Sequence, residues 1–317
     1  MPDALTIRTV LGDIDPGELG VCDAHDHLFL RSALLPGQEL DDPVAAVEEL
    51  RAFAAAGGQA VAQWTPFGMG RRAGRLGEVS RAAGVHVIAA TGFHQVAHEG
   101  ELLTERVAGR LAELFVDELV RGLRNDDDPD APMGTARAGM IKVAGAFHGL
   151  DAHARAVMTA AAEAHHATDA PIGVHLEGGT AAMDVLALLC ERLDVPPERV
   201  ILGHLNRSPD PRVHRQAAEA GAFLAFDGPS RAHHATDWRL LDALAALCEA
   251  GHADRLLLGG DTTTARARAT AGGEGPGLPF LLTTLRPRVE RELGARVANA
   301  MFVDNPARAF AADWKSR

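Results

Sequence analysis

The chain has 317 residues, 47% of them hydrophobic and 23% charged, with a net charge of −12 at neutral pH. That is the composition of a globular protein with an ample core, and the negative charge argues against nucleic acid or an anionic lipid surface as a partner. Three dispersed cysteines (Cys22, Cys190, Cys248) give no disulfide framework, tyrosine is absent, and no stretch approaches the ~18 apolar residues of a membrane span. The opening MPDALTIRTVLGD lacks the charged-then-apolar pattern of a leader, so the expected location is the cytoplasm and the expected partner a small molecule.

In chain order, Leu5–Leu19 reads as a small β-hairpin closing at Asp13–Gly17. Short apolar runs follow at Gly20–Ala24, Gln59–Trp64, His86–Ala90, Met140–Ala144, Ile172–Leu176, Val200–Gly203, Ala222–Phe226 and Arg255–Gly259. Each is bounded by Gly, Pro or polar residues, as strands buried on both faces should be. Between them lie segments of helical period. Asp42 and Pro43 open one as N-cap and first-turn proline, and Gly57-Gly58 closes it. Ala152–Ala167, Ala181–Leu193, Arg212–Ala220 and Trp238–Ala250 read likewise, and Asn125–Ala138 reads as an exposed acidic loop. Strand and helix alternating eight times predict a (β/α)8 TIM barrel with a short N-terminal β-hairpin, one domain over residues 1–317. An open doubly wound sheet is the alternative, but no GxGxxG follows the first strand.

A barrel of this kind carries its reactive groups at the C-terminal ends of its strands. His25 and His27 end the first strand on one face, because side chains alternate with period two. Lys142 lies inside GMIKVAG, His175 ends the fifth strand, His204 the sixth and Asp261 the eighth. A lone strand-end histidine is usually a hydrogen-bonded core group; four of them with an aspartate suit a divalent cation. Lys142 admits two readings: a salt-bridged lysine, for instance to Asp261, or a desolvated amine that takes up CO2 as a carbamate. Arg207, Arg231 and Arg266 follow late strands and read either as solvated loop charge or as an anion site. The glycine-rich run after the eighth strand is either a lid or a sharply turning connection.

These residues, together with TVLGDIDPGELGVCDAHDHLF, ATGFH, GHLNRSPDP, FDGPSR, GGEGPGLPFLL and NPARAF, resemble the phosphotriesterase family of the amidohydrolase superfamily, in its homology-protein and lactonase branch. The resemblance spans the chain. It implies two divalent ions, Zn²⁺ by default with Mn²⁺, Co²⁺ or Fe²⁺ fitting the same donors. His25, His27 and Asp261 would hold the more buried ion and His175 and His204 the more exposed one, with carboxylated Lys142 between them. A metal-bridging hydroxide would attack and Asp261 would accept its proton. The implied activity is hydrolysis of a lactone or carboxylic ester; if the three arginines form an anion site, the sharper reading is a phosphorylated or carboxylated sugar lactone. Phosphotriester hydrolysis and a non-catalytic metal- or ligand-binding barrel are the alternatives, and the resemblance points to a homodimer. Three positions depart from the family pattern: Asp26 replaces a glutamate, Asn206 an aspartate, and His94 a tyrosine. His94 stands between a substrate contact and an ordinary loop histidine.

Overall fold

The computed structural model describes residues 5–125, 127–228 and 236–315. The hairpin forms but turns earlier than expected: β1 (Thr6–Thr9) pairs with β2 (Gly12–Ile14) across Val10 and Leu11. Asp13–Gly17 instead leads out of β2 into a helical turn over Pro16–Glu18, where the Asp15 carboxylate accepts the Gly17 N–H. Such Asx capping competes with a hairpin turn for the same residues.

Eight parallel strands follow: β3 (Cys22–Asp26), β4 (Ala60–Gln63), β5 (His86–Gly92), β6 (Met140–Ala144), β7 (Ile172–His175), β8 (Val200–Gly203), β9 (Phe223–Asp227) and β10 (Leu256–Gly259). They form a nearly closed TIM-type barrel wrapped by helices, and the eight expected runs match them to within two residues at each end. The seam between β10 and β3 is joined just beyond the strands. There Asp261 N–H donates to the His25 carbonyl (2.9 Å), and Gly260 N–H to the Asp23 carboxylate (3.2 Å). A short β11 (Ala311–Ala312) returns to pair with β1.

Small residues line much of the barrel interior, among them Ala24, Ala60, Ala62 and Ala90, and they leave room for the Trp64 indole. A Cβ on Gly173 would stand 2.9 Å from that ring and 2.6 Å from the Met140 side chain, so only glycine admits it. The indole N–H donates to the Ala24 carbonyl (2.8 Å), and the His25 ring stacks on its face with centroids 3.8 Å apart. Trp64 is thus the floor beneath His25; cutting such a buried side chain to Ala costs roughly 3–5 kcal/mol.

Against β4, β3 carries one extra residue between Asp23 and Asp26. Such a bulge re-aims side chains, and here both Ala24 and His25 meet Trp64.

Two loops are more firmly held than the sequence suggests. The described residues of the expected acidic loop, 125 and 127–138, form no helix or strand, but their acidic groups are not simply solvated. Asp127 accepts the N–H groups of Gly68 and Gly70, and Asp128 and Asp130 pair with Arg106 and Arg110. After β10, the buried Glu49 carboxylate accepts from the backbones of Ala269, Thr270 and Leu278 and from the Thr270 hydroxyl. That fixes the glycine-rich run as a tied-down connection. No helix among the described residues is long and apolar enough to cross a membrane.

Candidate metal and catalytic site

The C-terminal mouth of the barrel opens into a cavity of about 460 Å³ whose lining includes His25, His27, His94, Lys142, His175, His204, Arg207 and Asp261. Six strands and the loops after them therefore bring eight of the residues that the sequence singles out to one mouth. His204 and Asp261 leave β8 and β10 with left-handed backbone, φ +65° and +48°. Non-glycine residues take that conformation at a cost of about 1–3 kcal/mol and cluster at functional sites.

The hydrogen bonds around the rings determine which nitrogens face inward. Asp227, at the end of β9, receives the Nδ1–H of His25 (2.6 Å) and the Nδ1–H of His204. Burial raises the Asp227 carboxyl, but His204 and His25 outweigh it and hold the group well below the usual range, so it accepts both protons. The Nε2 atoms of both rings then carry lone pairs. His27 reaches the same state by another route. The Thr65 hydroxyl donates to the Phe29 carbonyl (2.6 Å) and so accepts from His27 Nδ1–H (2.8 Å). His27 Nε2 faces Asp261 Oδ1 at 3.4 Å, and His25 Nε2 faces the same oxygen at 3.8 Å.

A second pair repeats the pattern. His175 Nε2 donates to Glu177 (3.1 Å), which leaves its Nδ1 2.7 Å from His204 Nε2. Lone pairs gathered in a buried site are a favourable place for a cation. Imidazole and carboxylate are the donors that Zn²⁺ and similar ions take, and atoms of His25, His204 and Asp261 lie within 4.8 Å of one another. The residues fit a divalent metal centre.

Desolvation dominates the electrostatics. It pushes His27 down to about 4 and His94 and His204 well below the usual histidine value, which keeps the rings neutral. Burial likewise brings Lys142 down to about 7, against the opposing pull of Glu99, Asp261 and Asp227. Asp261 moves the other way: burial raises it, but His204, His27, Arg207 and His25 hold it well below the carboxylate range. Among the described lysines and arginines, the one that pairs with Asp261 is Arg207 (2.5 Å) and not Lys142.

His94 accepts the Gln95 N–H at Nδ1 (2.7 Å), so its neutral ring keeps the proton on Nε2 as a donor. Arg266, by contrast, is exposed and pairs with Glu274 away from the cavity, so the structure does not bring it to the site. Arg231 lies outside the described residues. Asn206 holds the Asp227 backbone through its side-chain oxygen (3.2 Å). Sequence reasoning missed Asp227 and Glu177. Asp227 stands within the FDGPSR motif and Glu177 two residues after His175, and a carboxylate at or just after a strand end was the available signal.

The sequence profile of the Phosphotriesterase family matches residues 5–310. The chain belongs to the phosphotriesterase family. It is a hydrolase of that family, whose members depend on metal, and its histidine–aspartate cluster is the candidate metal site. Three similar proteins illustrate the relation. A phospho-furanose lactonase of Mycoplasmopsis synoviae is 27% identical over 330 residues, covering 97% of this chain and 92% of that protein. The crystal structure of a lactonase from Listeria monocytogenes superposes with a TM-score of 0.86 at 28% identity, covering 96% and 98%. That of the Escherichia coli phosphotriesterase homology protein, which carries phosphate in its active site, gives 0.83 at 28% identity, covering 94% and 100%.

Proposed function

We propose that this phosphotriesterase-family chain is a two-metal hydrolase of lactones or carboxylic esters, with a sugar lactone bearing a phosphate or carboxylate as the favoured substrate. The observation that carries the reading is the convergence of His25 Nε2, His27 Nε2 and the Asp261 carboxylate beside the His175–His204 pair. His25, His27 and Asp261 would hold one ion and His175 and His204 the other, with Zn²⁺ the default. Bound there, the ions would make water a strong nucleophile near neutral pH and polarise the substrate carbonyl.

The chain's own residues supply the rest. Asp261, kept ionised and oriented by Arg207, accepts the proton of the attacking water and returns it to the alkoxide that leaves. His94 offers its Nε2–H to an ester oxygen. Lys142, brought down to about 7 by burial, offers a neutral amine. Its nitrogen adds to CO2 and releases one proton, which leaves a carbamate anion suited to bridging two ions. A lactone ranks ahead of a phosphotriester because the described lining contains no Phe or Trp to hold two further ester arms. The names of the lactonase relatives point the same way. Arg266 is engaged by Glu274, so the candidates for an anionic group are Arg207, which lines the cavity beside Asp261, and Arg231.

The test is a panel of phosphorylated and plain sugar lactones, simple esters and a phosphotriester, run on protein of measured metal content. Lactone turnover that falls when Arg231 becomes Ala supports the reading. Full metal occupancy without turnover of any lactone or ester would overturn it in favour of a binding protein.

A further inference from the structure

The turn after β7 folds back on the histidine that precedes it. Gly178 and Gly179 have φ of +58° and +72°. A Cβ on Gly179 would stand 2.6 Å from the His204 carbonyl oxygen and 2.8 Å from the Ser208 nitrogen, so the chain can make this turn against β8 only with glycine. The turn is held from outside as well: Thr180 Oγ1 donates to the Glu177 carbonyl (2.7 Å) and accepts the His148 N–H (2.8 Å).

The result is that Glu177 reaches the ring only two residues before it, with His175 Nε2 to Glu177 Oε2 at 3.1 Å. The carboxylate is steadied in turn by Gln95, whose Nε2 donates both to Glu177 (3.3 Å) and to the Gly145 carbonyl (2.7 Å).

We propose that Glu177, steadied by Gln95, is a positioning residue for His175. It holds the ring proton on Nε2 and so commits Nδ1, 2.7 Å from His204 Nε2, as the atom that binds metal. This rests on the two-metal reading above. Asp227 performs the same service for His25 and His204 from the opposite side, taking their Nδ1–H and leaving Nε2 to bind. The two carboxylates thus select opposite nitrogens on facing rings, which is what lets His175 and His204 point at one centre. Outer carboxylates of this kind orient the ligand ring and raise its basicity, and their loss typically weakens metal affinity by about 10–100-fold. Glu177 is also partly exposed, so its removal leaves no buried unpaired charge, and the effect should be confined to the ion.

The experiment is Zn²⁺ titration against a competing chromophoric chelator, on the full chain and on Glu177→Ala and Glu177→Gln, with thermal unfolding in excess chelator alongside. The wild type should bind two ions. Glu177→Ala should weaken one of them by about 10–100-fold and leave the other in place. Glu177→Gln, which keeps an acceptor oxygen for the His175 Nε2–H, should recover most of that loss. Unfolding of the three metal-free proteins should coincide. Two ions bound with wild-type affinity by Glu177→Ala overturns the proposal, as does a Gln variant as weak as Ala. Metal-free Glu177→Ala unfolding well below the wild type would show a structural role instead and also overturns it. A wild type that binds no Zn²⁺ removes the two-metal reading itself.

Discussion

Replacing Lys142 by Met tests the buried amine directly, because methionine fills a similar volume with no group to titrate. In the folded chain burial moves the ammonium from its ordinary 10.5 to about 7. At about 1.4 kcal/mol for each pH unit between those values, keeping this lysine in the metal-free fold costs about 5 kcal/mol wherever both states are protonated. Below about pH 7 that cost is complete. Between about 7 and 10.5 the folded amine has already lost its proton while the unfolded one still binds it, so the stability of the wild type rises with pH. Above 10.5 nothing remains. The Met variant has no such dependence at this position. Denaturant unfolding in chelator and CO2-free buffer should therefore find Lys142→Met more stable by several kcal/mol near neutral pH, with the gap closing toward pH 10. A gap that stays constant across that range, or a variant less stable throughout, would refute the desolvation argument. In metal-loaded protein the sign should reverse, because the variant cannot form the carbamate.

Other substitutions separate the parts of the site. Asp227→Asn leaves at least one of the two imidazole N–H donors without an acceptor, so metal affinity should fall by about 10–100-fold in a chelator titration. Arg207→Ala removes a cation that helps hold Asp261 below the carboxylate range. The Asp261 carboxyl should rise, and the acid limb of the kcat/KM profile should move toward neutral pH. Arg266→Ala removes only an exposed ion pair with Glu274, so kcat/KM should not change and stability should stay within about 0.5 kcal/mol. Glu49→Ala strands the backbone donors of Ala269 and Leu278 and should lower stability by about 2–4 kcal/mol in denaturant unfolding. It should also loosen the loop after β10, seen as faster amide exchange there.

The alternation of strand and helix, and with it the barrel and the end at which chemistry collects, can be read from the residues alone. Strands buried on both faces are written as apolar runs, and helix starts as Asp-Pro caps, so period and punctuation suffice. His25, Lys142, His175, His204 and Asp261 were legible for the same reason: a polar residue at or within an apolar strand has few structural explanations. The remaining features depend on contacts between segments far apart in the chain. No local pattern says that Asp227 accepts from both His25 and His204, that Thr65 sets the tautomer of His27, or that Arg207 rather than Lys142 pairs with Asp261. Arg266 and Arg207 look alike as loop arginines, and only the path of the chain turns one outward and the other into the cavity. The extra residue in β3 likewise becomes visible only against its partner strand, because register is a property of the pair.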